Sequence, residues 1–449
     1  MQPNLPPELL DYIFTFMRDD HPSLRNCALV NHKFSKLVER HLYYHITLNN
    51  SENYVGLGEL SPAQISQMFT EKVHLVSHVK SLRIVMASLG ILRWFTLRSM
   101  EDEDMGKAML VLSQLTKLSL SGRQHGIISW NRFHHLFQSS FARLLLLPSM
   151  TSVSIHGIED FPLPLLSQCK NLKSLSLRVV DDPTLPLPTI PTSEADIPRL
   201  EYLEILECTY ALPLILIWLR SQGSPKLCDL RVLRIMIQRL GDISYIQDFL
   251  SADCAQSLKC LYVGANDIAR TTYNAIGEII YPPDSAPHRI LDLSCLPNLR
   301  SLTLEASVKS TATYWISSNG EEDTETYNLQ TPIPWIVEHL RTLFSGSSHH
   351  AQSLERIILE LSFEVDKHAL TRLDWGPLAS VLKASQMWSL RTVQIQVVGC
   401  EPTGVTLETL EFGLRQDKYL SEMVKSGLLA IDTTHCPKEA APVKAWWGV

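Results

Sequence analysis

Leu172-Lys173-Ser174-Leu175-Ser176-Leu177 is the stretch from which most of this 449-residue chain is read. Its form, apolar–x–x–apolar–x–apolar, ends in an alternation of period two, the mark of a short strand with one buried side. Upstream the form returns at Val79–Leu82–Ile84, Leu115–Leu118–Leu120 and Met150–Val153–Ile155. Downstream it returns at Leu200–Leu203–Ile205, Leu230–Leu233–Ile235, Leu258–Leu261–Val263, Leu299–Leu302–Leu304, Leu354–Ile357–Leu359 and Leu390–Val393–Ile395. Helix-like runs, among them Trp335 to Leu343 and Leu378 to Leu382, lie between copies. Strands alternating with helices predict an α/β body whose neighbouring strands run parallel. A conventional α/β domain whose strands happen to read alike is the competing reading.

The strand-plus-helix unit resembles a degenerate leucine-rich repeat, in which each unit buries its leucines only by stacking on its neighbours. Copies are separated by about 22 to 55 residues, against roughly 20–29 in regular repeats. The position that usually holds Asn or Cys past the strand holds Asn266 and Cys208 in two copies. It holds Gln238, Ser307 and Ser362 in others, and apolar Ile158 and Val180 in two more. The resemblance therefore implies an irregular α/β solenoid over residues 79–400, with a parallel sheet on its concave face and turns that are not all alike. Residues between the leucines are expected to point out of that face. Arg178, Tyr202, Glu204, Arg234, Met236, Tyr262, Glu305 and Arg356 are the candidate contacts for a protein target, with Tyr202, Met236 and Tyr262 bulky enough to anchor one.

At the N-terminus, Leu5-Pro6-Pro7-Glu8-Leu9-Leu10 precedes an apolar run from Ile13 to Met17. Proline suits a first helical turn, and Glu8 sits at the positive end of the helix dipole. Leu9, Leu10, Ile13, Phe14, Phe16 and Met17 cover more of the helix than a forty-residue domain can bury. A break at Asp19-Asp20-His21-Pro22 leads to a second helix, for which Ser23 is the expected N-cap, and Asn31 is the expected N-cap of a third. Three short helices with surplus apolar surface call for a partner. These residues resemble the F-box, which docks receptors onto the adaptor subunit of cullin–RING ubiquitin ligases. The resemblance covers residues 1–48 and departs at Phe34, where the family most often has Trp. It implies adaptor contacts at Leu5, Pro6, Leu9, Ile13, Leu24, Val30 and Phe34, and a substrate-receptor subunit that needs neither catalytic residue nor cofactor.

Residues 49–78 read as a connecting helical segment and residues 401–449 as a closing unit. The latter is expected to hold one amphipathic helix from Leu407 to Met423, a strand at Leu428 to Ile431 and a tail ending in Trp446-Trp447. Residues 181–198 carry five prolines and read as an extended loop. Residues 306–332, polar and bearing Glu321-Glu322-Asp323, read as a second long loop. The acidic clusters there and at Glu101-Asp102-Glu103-Asp104 are solvated surface or a contact for a basic partner.

Composition removes several classes. A net charge of −7 with no long basic block argues against nucleic acid as the main ligand. The longest apolar run, Leu212 to Leu219, is too short to span a bilayer and contains Pro213. No charged and apolar leader opens the chain. Nine scattered cysteines include no CxxC pair, so neither a disulfide framework nor a zinc ribbon is indicated, and a cytosolic or nuclear location is expected. The sequon at Asn49-Asn50-Ser51 is then without consequence. There is no GxxxxGK[ST], GxSxG or HExxH motif, and Gly56-Leu57-Gly58 is too short for a dinucleotide loop. The adjacent pairs His134-His135 and His349-His350 are expected to point to different faces of a helix or strand and to make poor joint metal ligands.

Overall fold

The computed structural model describes residues 5–18, 20–49, 61–86, 97–122, 127–181, 183, 197–221, 224–239, 241–254, 256–265, 271–273, 279–281, 290–316, 322–345, 353–365, 370, 372–383, 389–400 and 406–433. The sequon serine, Gly56-Leu57-Gly58, most of the proline-rich loop, Asn266, Glu321, His349-His350 and the Trp446-Trp447 tail lie outside them. The chain forms two compact units, Met1–Leu227 and Cys228–Val449.

The first unit opens with three helices, α1 (Pro7–Phe16), α2 (His21–Val30) and α3 (His32–Leu42). Pro7 and Pro22 sit in first turns, where a missing N–H costs nothing. The expected cap of α2 is corrected. Asp20 accepts from the Ser23 N–H at 3.1 Å and the helix starts at His21, because Pro22 fits inside the first turn. Asn31 caps α3 as expected, accepting from the Phe34 N–H at 2.9 Å. Phe14, Leu24 and Val38 form the core between the helices, with Leu10, Met17, Cys27 and Phe34 packed around it.

Six strands of this unit pair in parallel in the order His45–Asn49, Ser81–Met86, Lys117–Gly122, Ser152–His156, Ser174–Arg178 and Tyr202–Leu206. The repeated leucines align in rows. Ile46, Leu82, Leu118, Val153, Leu175 and Leu203 form one row; Leu48, Ile84, Leu120, Ile155, Leu177 and Ile205 form the next. Every member is buried. The helices between strands include Pro62–Glu71, Leu97–Leu110, His135–Leu145 and Leu212–Arg220. Glu101 to Asp104 lies within Leu97–Leu110, where Lys107 pairs with Glu103 at 3.0 Å, one turn away. The residue after three successive strands takes a left-handed conformation: Gly157, Val179 and Glu207, with φ of 66°, 49° and 58°. One turn thus recurs even where the side chain disfavours it.

In the second unit Val232–Ile237, Cys260–Ala265, Ser301–Ile316, Arg356–Glu364, Thr392–Cys400 and Leu429–Asp432 also pair in parallel. Leu233, Leu261, Leu302, Ile357, Val393 and Leu429 share one buried row. Two expectations are corrected here. Within the expected loop 306–332, residues 306–316 and 322–331 are strand instead: Ser301–Ile316 continues into an antiparallel pairing with Glu322–Thr331. Its Ser, Thr, Tyr and Trp residues favour strand, a preference that outweighs the polarity of the segment. The single closing helix is two, Leu407–Gln416 and Lys418–Lys425, because Asp417 accepts from the N–H groups of Tyr419 and Leu420 at 2.9 Å and starts a new helix.

His339, in Ile333–Ser345, is wholly buried. Its Nδ1 faces the Trp335 carbonyl at 2.9 Å and its Nε2 accepts the Leu291 N–H at 3.1 Å, so the ring is neutral. Burial pushes its pKa down to about 4. The unfolded chain therefore binds a proton below about pH 6.5 that the folded chain refuses until about pH 4, and stability falls as pH drops through that window. The full effect is worth roughly 3 kcal/mol. Urea midpoints for the wild type and His339→Gln at pH 7 and pH 5 test this. The fall on acidification is expected to be smaller in the variant, and equal slopes would overturn the assignment.

Candidate functional site

Helix α1 buries Phe14 and turns its other side outward. Leu5, Leu9, Tyr12, Ile13 and Phe16 are all exposed, Phe16 by 72%. Within the helix, Leu9, Tyr12, Ile13 and Phe16 recur at spacings of three and four and so share a face. The Tyr12 and Phe16 rings meet edge to face at 4.8 Å between centroids, which holds an aromatic pair in place without a partner. At the end of α2, Leu29 and Val30 are exposed by 83% and 65%. Contiguous apolar exposure of this kind marks an interaction surface.

Polar side chains fix the angle of α1 against α3. Asp11 Oδ1 lies 2.9 Å from Arg40 Nε and 2.6 Å from His41 Nε2. Arg18 Nε donates to His41 Nδ1 at 3.1 Å, and its guanidinium stacks 4.0 Å from the centre of the Tyr44 ring. An imidazole that accepts at Nδ1 carries its proton at Nε2 and gives it to Asp11. Burial holds the His41 pKa below its ordinary value, and Arg18 adds to that effect.

Of the residues expected at the adaptor surface, Leu5, Pro6, Leu9, Ile13 and Val30 are exposed. One is corrected: Leu24 is 0% exposed in the helical core. Phe34 is half-buried, its ring 5.9 Å from that of Phe14. Both hold the helices together. Tyr12, Phe16 and Leu29 belong to the open face and are not among the expected contacts. The signal was present for α1, since Tyr12 and Phe16 stand three and seven residues beyond Leu9.

The second candidate is the outward face of the sheets. In the first unit Arg178, Tyr202 and Glu204 come together. Glu204 Oε1 accepts from Ser176 Oγ and Arg178 Nε, each at 2.7 Å, and Oε2 accepts from Tyr202 Oη at 2.9 Å. In the second unit the Arg234 guanidinium covers the Tyr262 ring at 4.3 Å, and the Tyr262 hydroxyl donates to Glu305. Burial and the Glu305 carboxylate push the phenol pKa up. Gly264 lies beside Glu305 and Met236, where a Cβ would sit 3.0 Å from Glu305 Oε2. Met236 and Tyr262 are buried, which corrects their expected role as open anchors, and Glu204, expected as a contact, is buried too; neighbouring side chains on the same face cover them, while Tyr202 is half-buried. Arg356 is exposed and bonds Gln394 at 2.8 Å.

Burial pushes the Cys169 and Cys208 thiols up to about 12, which keeps both protonated near neutral pH. Among the described residues, no three His, Cys, Asp or Glu side chains group as metal ligands would, and no helix is long and apolar enough to cross a membrane. No curated protein matches the chain. Residues 2–49 match the F-box-like family, so the three helices with their open apolar face are an F-box-like domain.

Proposed function

We propose that this chain is the substrate-receptor subunit of an SCF-type cullin–RING ubiquitin ligase, with a body of degenerate leucine-rich repeats. The observation that carries the reading is the open apolar face of α1 and the end of α2 on an F-box-like domain. Burying one leucine-sized side chain contributes roughly 1.5–3 kcal/mol, so a few of these residues suffice for a stable joint with the adaptor. The aligned rows of leucines support the repeat reading, because each strand extends a core begun by its neighbour.

The mechanism is proximity. The helices fix the chain to the adaptor, the body holds a protein target, and the target lysine stays at high effective concentration beside the ubiquitin-charged conjugating enzyme. Bond making belongs to other subunits; this chain is not itself an enzyme and takes no cofactor. It works in the cytosol or nucleus, where those subunits are found. Recovery of full-length protein from cells is expected to bring down adaptor, cullin and RING subunits together, and Leu9→Asp with Ile13→Asp to lose all three. Adaptor without cullin would replace the receptor reading with that of a scaffold.

A further inference from the structure

Four backbone hydrogen bonds link the residues that stand just before the parallel strands of the second unit. Lys259 N–H donates to the Arg231 carbonyl at 2.9 Å, Arg300 N–H to Lys259 at 2.7 Å, Glu355 N–H to Arg300 at 2.8 Å and Arg391 N–H to Glu355 at 2.9 Å. One edge of the sheet therefore carries a ladder of equivalent positions. Three consecutive rungs, Arg231, Lys259 and Arg300, are cations with exposed side chains. They line a groove of about 300 Å³ together with Asn298 and Cys228, and among the described residues Asp229 is the one carboxylate in its wall.

The same ladder in the first unit reads Lys80, Thr116, Thr151, Lys173 and Glu201. There the cations are answered: Lys173 pairs with Glu201 at 2.8 Å, and Lys80 donates to Gln114 at 2.5 Å. In the second unit Arg300 lies 3.9 Å from Glu355, a loose pair, while Arg231 and Lys259 have no carboxylate partner among the described residues. Three neighbouring cations repel one another, and this chain carries a net charge of −7 overall. Nothing in the packing of the sheet requires charge at these rungs, since threonine fills the position twice in the first unit. Adjacent strands are about 4.8 Å apart, so the three rungs span roughly 10 Å. That length matches several phosphoryl oxygens in a row better than one carboxylate, and arginine presents paired donors to such groups.

We propose that Arg231, Lys259 and Arg300 form a binding site for a phosphoryl-bearing ligand on the strand-start edge of the second unit. The site lies on a different surface from the apolar helical face and does not depend on ligase membership. Calorimetric titration of the full-length protein with inorganic tripolyphosphate, at low ionic strength, is the test. Binding is expected to weaken with added salt and to fall at least about tenfold in Arg231→Ser with Lys259→Ser. Both side chains are exposed, and the thermal unfolding midpoint of the variant confirms that it folds. A local readout accompanies the titration: tripolyphosphate is expected to slow alkylation of Cys228 by iodoacetamide in the wild type and not in the variant. A short peptide bearing phosphoserine forms the second arm, and binding of either probe that is lost in the variant supports the site while naming its source. No binding by either probe, or equal binding by the wild type and variant, overturns it. Adaptor binding is unaffected in every case, so failure here is distinct from failure of the receptor reading.

Discussion

Leu9→Asp with Ile13→Asp is expected to weaken binding to the ligase adaptor by at least about a thousandfold and to leave the fold unchanged. Both side chains are exposed on α1 in the free protein, so the substitutions remove little packing from the folded chain. Exposed substitutions of this kind change stability by within about 0.5 kcal/mol. In the proposed complex the same positions would be buried against the adaptor. An uncompensated carboxylate at a dry interface costs several kcal/mol, and each 1.4 kcal/mol is about tenfold in affinity. Titration calorimetry gives the binding constant, and thermal unfolding confirms the fold. Tight binding by the double variant would move the interface elsewhere on the helices.

The second large effect is of the opposite kind. Leu24→Ala is expected to cost about 2–5 kcal/mol, because it opens a cavity at the centre of the small core formed with Phe14 and Val38. In three short helices that is comparable with the whole local stability. Amide exchange in α1, α2 and α3 is expected to accelerate, while the strand amides keep their protection. The Leu9 and Ile13 double variant is expected to show no such acceleration. Adaptor binding weakens in Leu24→Ala as well, through loss of the folded helices, and recovers in part on mild cooling. Unaltered exchange in the variant would contradict the placement of Leu24 in the core.

These two variants divide residues that the sequence presents alike. Leu9, Leu24 and Phe34 are all apolar residues of short helices, and spacing shows that they share a stripe without showing which stripe faces the other helices. That choice is tertiary: Phe14 meets Phe34 edge to face and closes the inner side, leaving Leu9, Tyr12 and Phe16 outside. The strands were easier to read, because rows such as Leu118, Val153, Leu175 and Leu203 repeat a local pattern whose register the pairing preserves. The strand His45–Asn49 is harder to read, although Ile46 and Leu48 carry the alternation, because the position three before Ile46 holds Tyr43 in place of the aliphatic residue of the other copies. The antiparallel pairing of Ser301–Ile316 with Glu322–Thr331 is hidden in the sequence by the polar, acidic character of the segment. The sheet face was legible in direction and not in exposure. Outward alternation places Glu204 and Tyr262 on that face, but their burial arises from Ser176, Arg178, Arg234 and Glu305 on neighbouring positions of the same face, which no local pattern encodes.

The cationic ladder was invisible for a related reason. Arg231, Lys259 and Arg300 are far apart in the chain and unremarkable singly. They become one feature only when parallel pairing sets them side by side. A net charge of −7 points away from anionic ligands, yet a charge summed over 449 residues says nothing of a single edge.

The most direct test of the account is calorimetric titration of folded, full-length protein with the purified ligase adaptor. A one-to-one complex with a dissociation constant below about 1 μM is predicted, equivalent to roughly 8 kcal/mol and within reach of a few buried side chains of α1 and α2. No heat of binding from folded protein at adaptor concentrations well above that value would contradict the docking role of the open helical face and, with it, the receptor function.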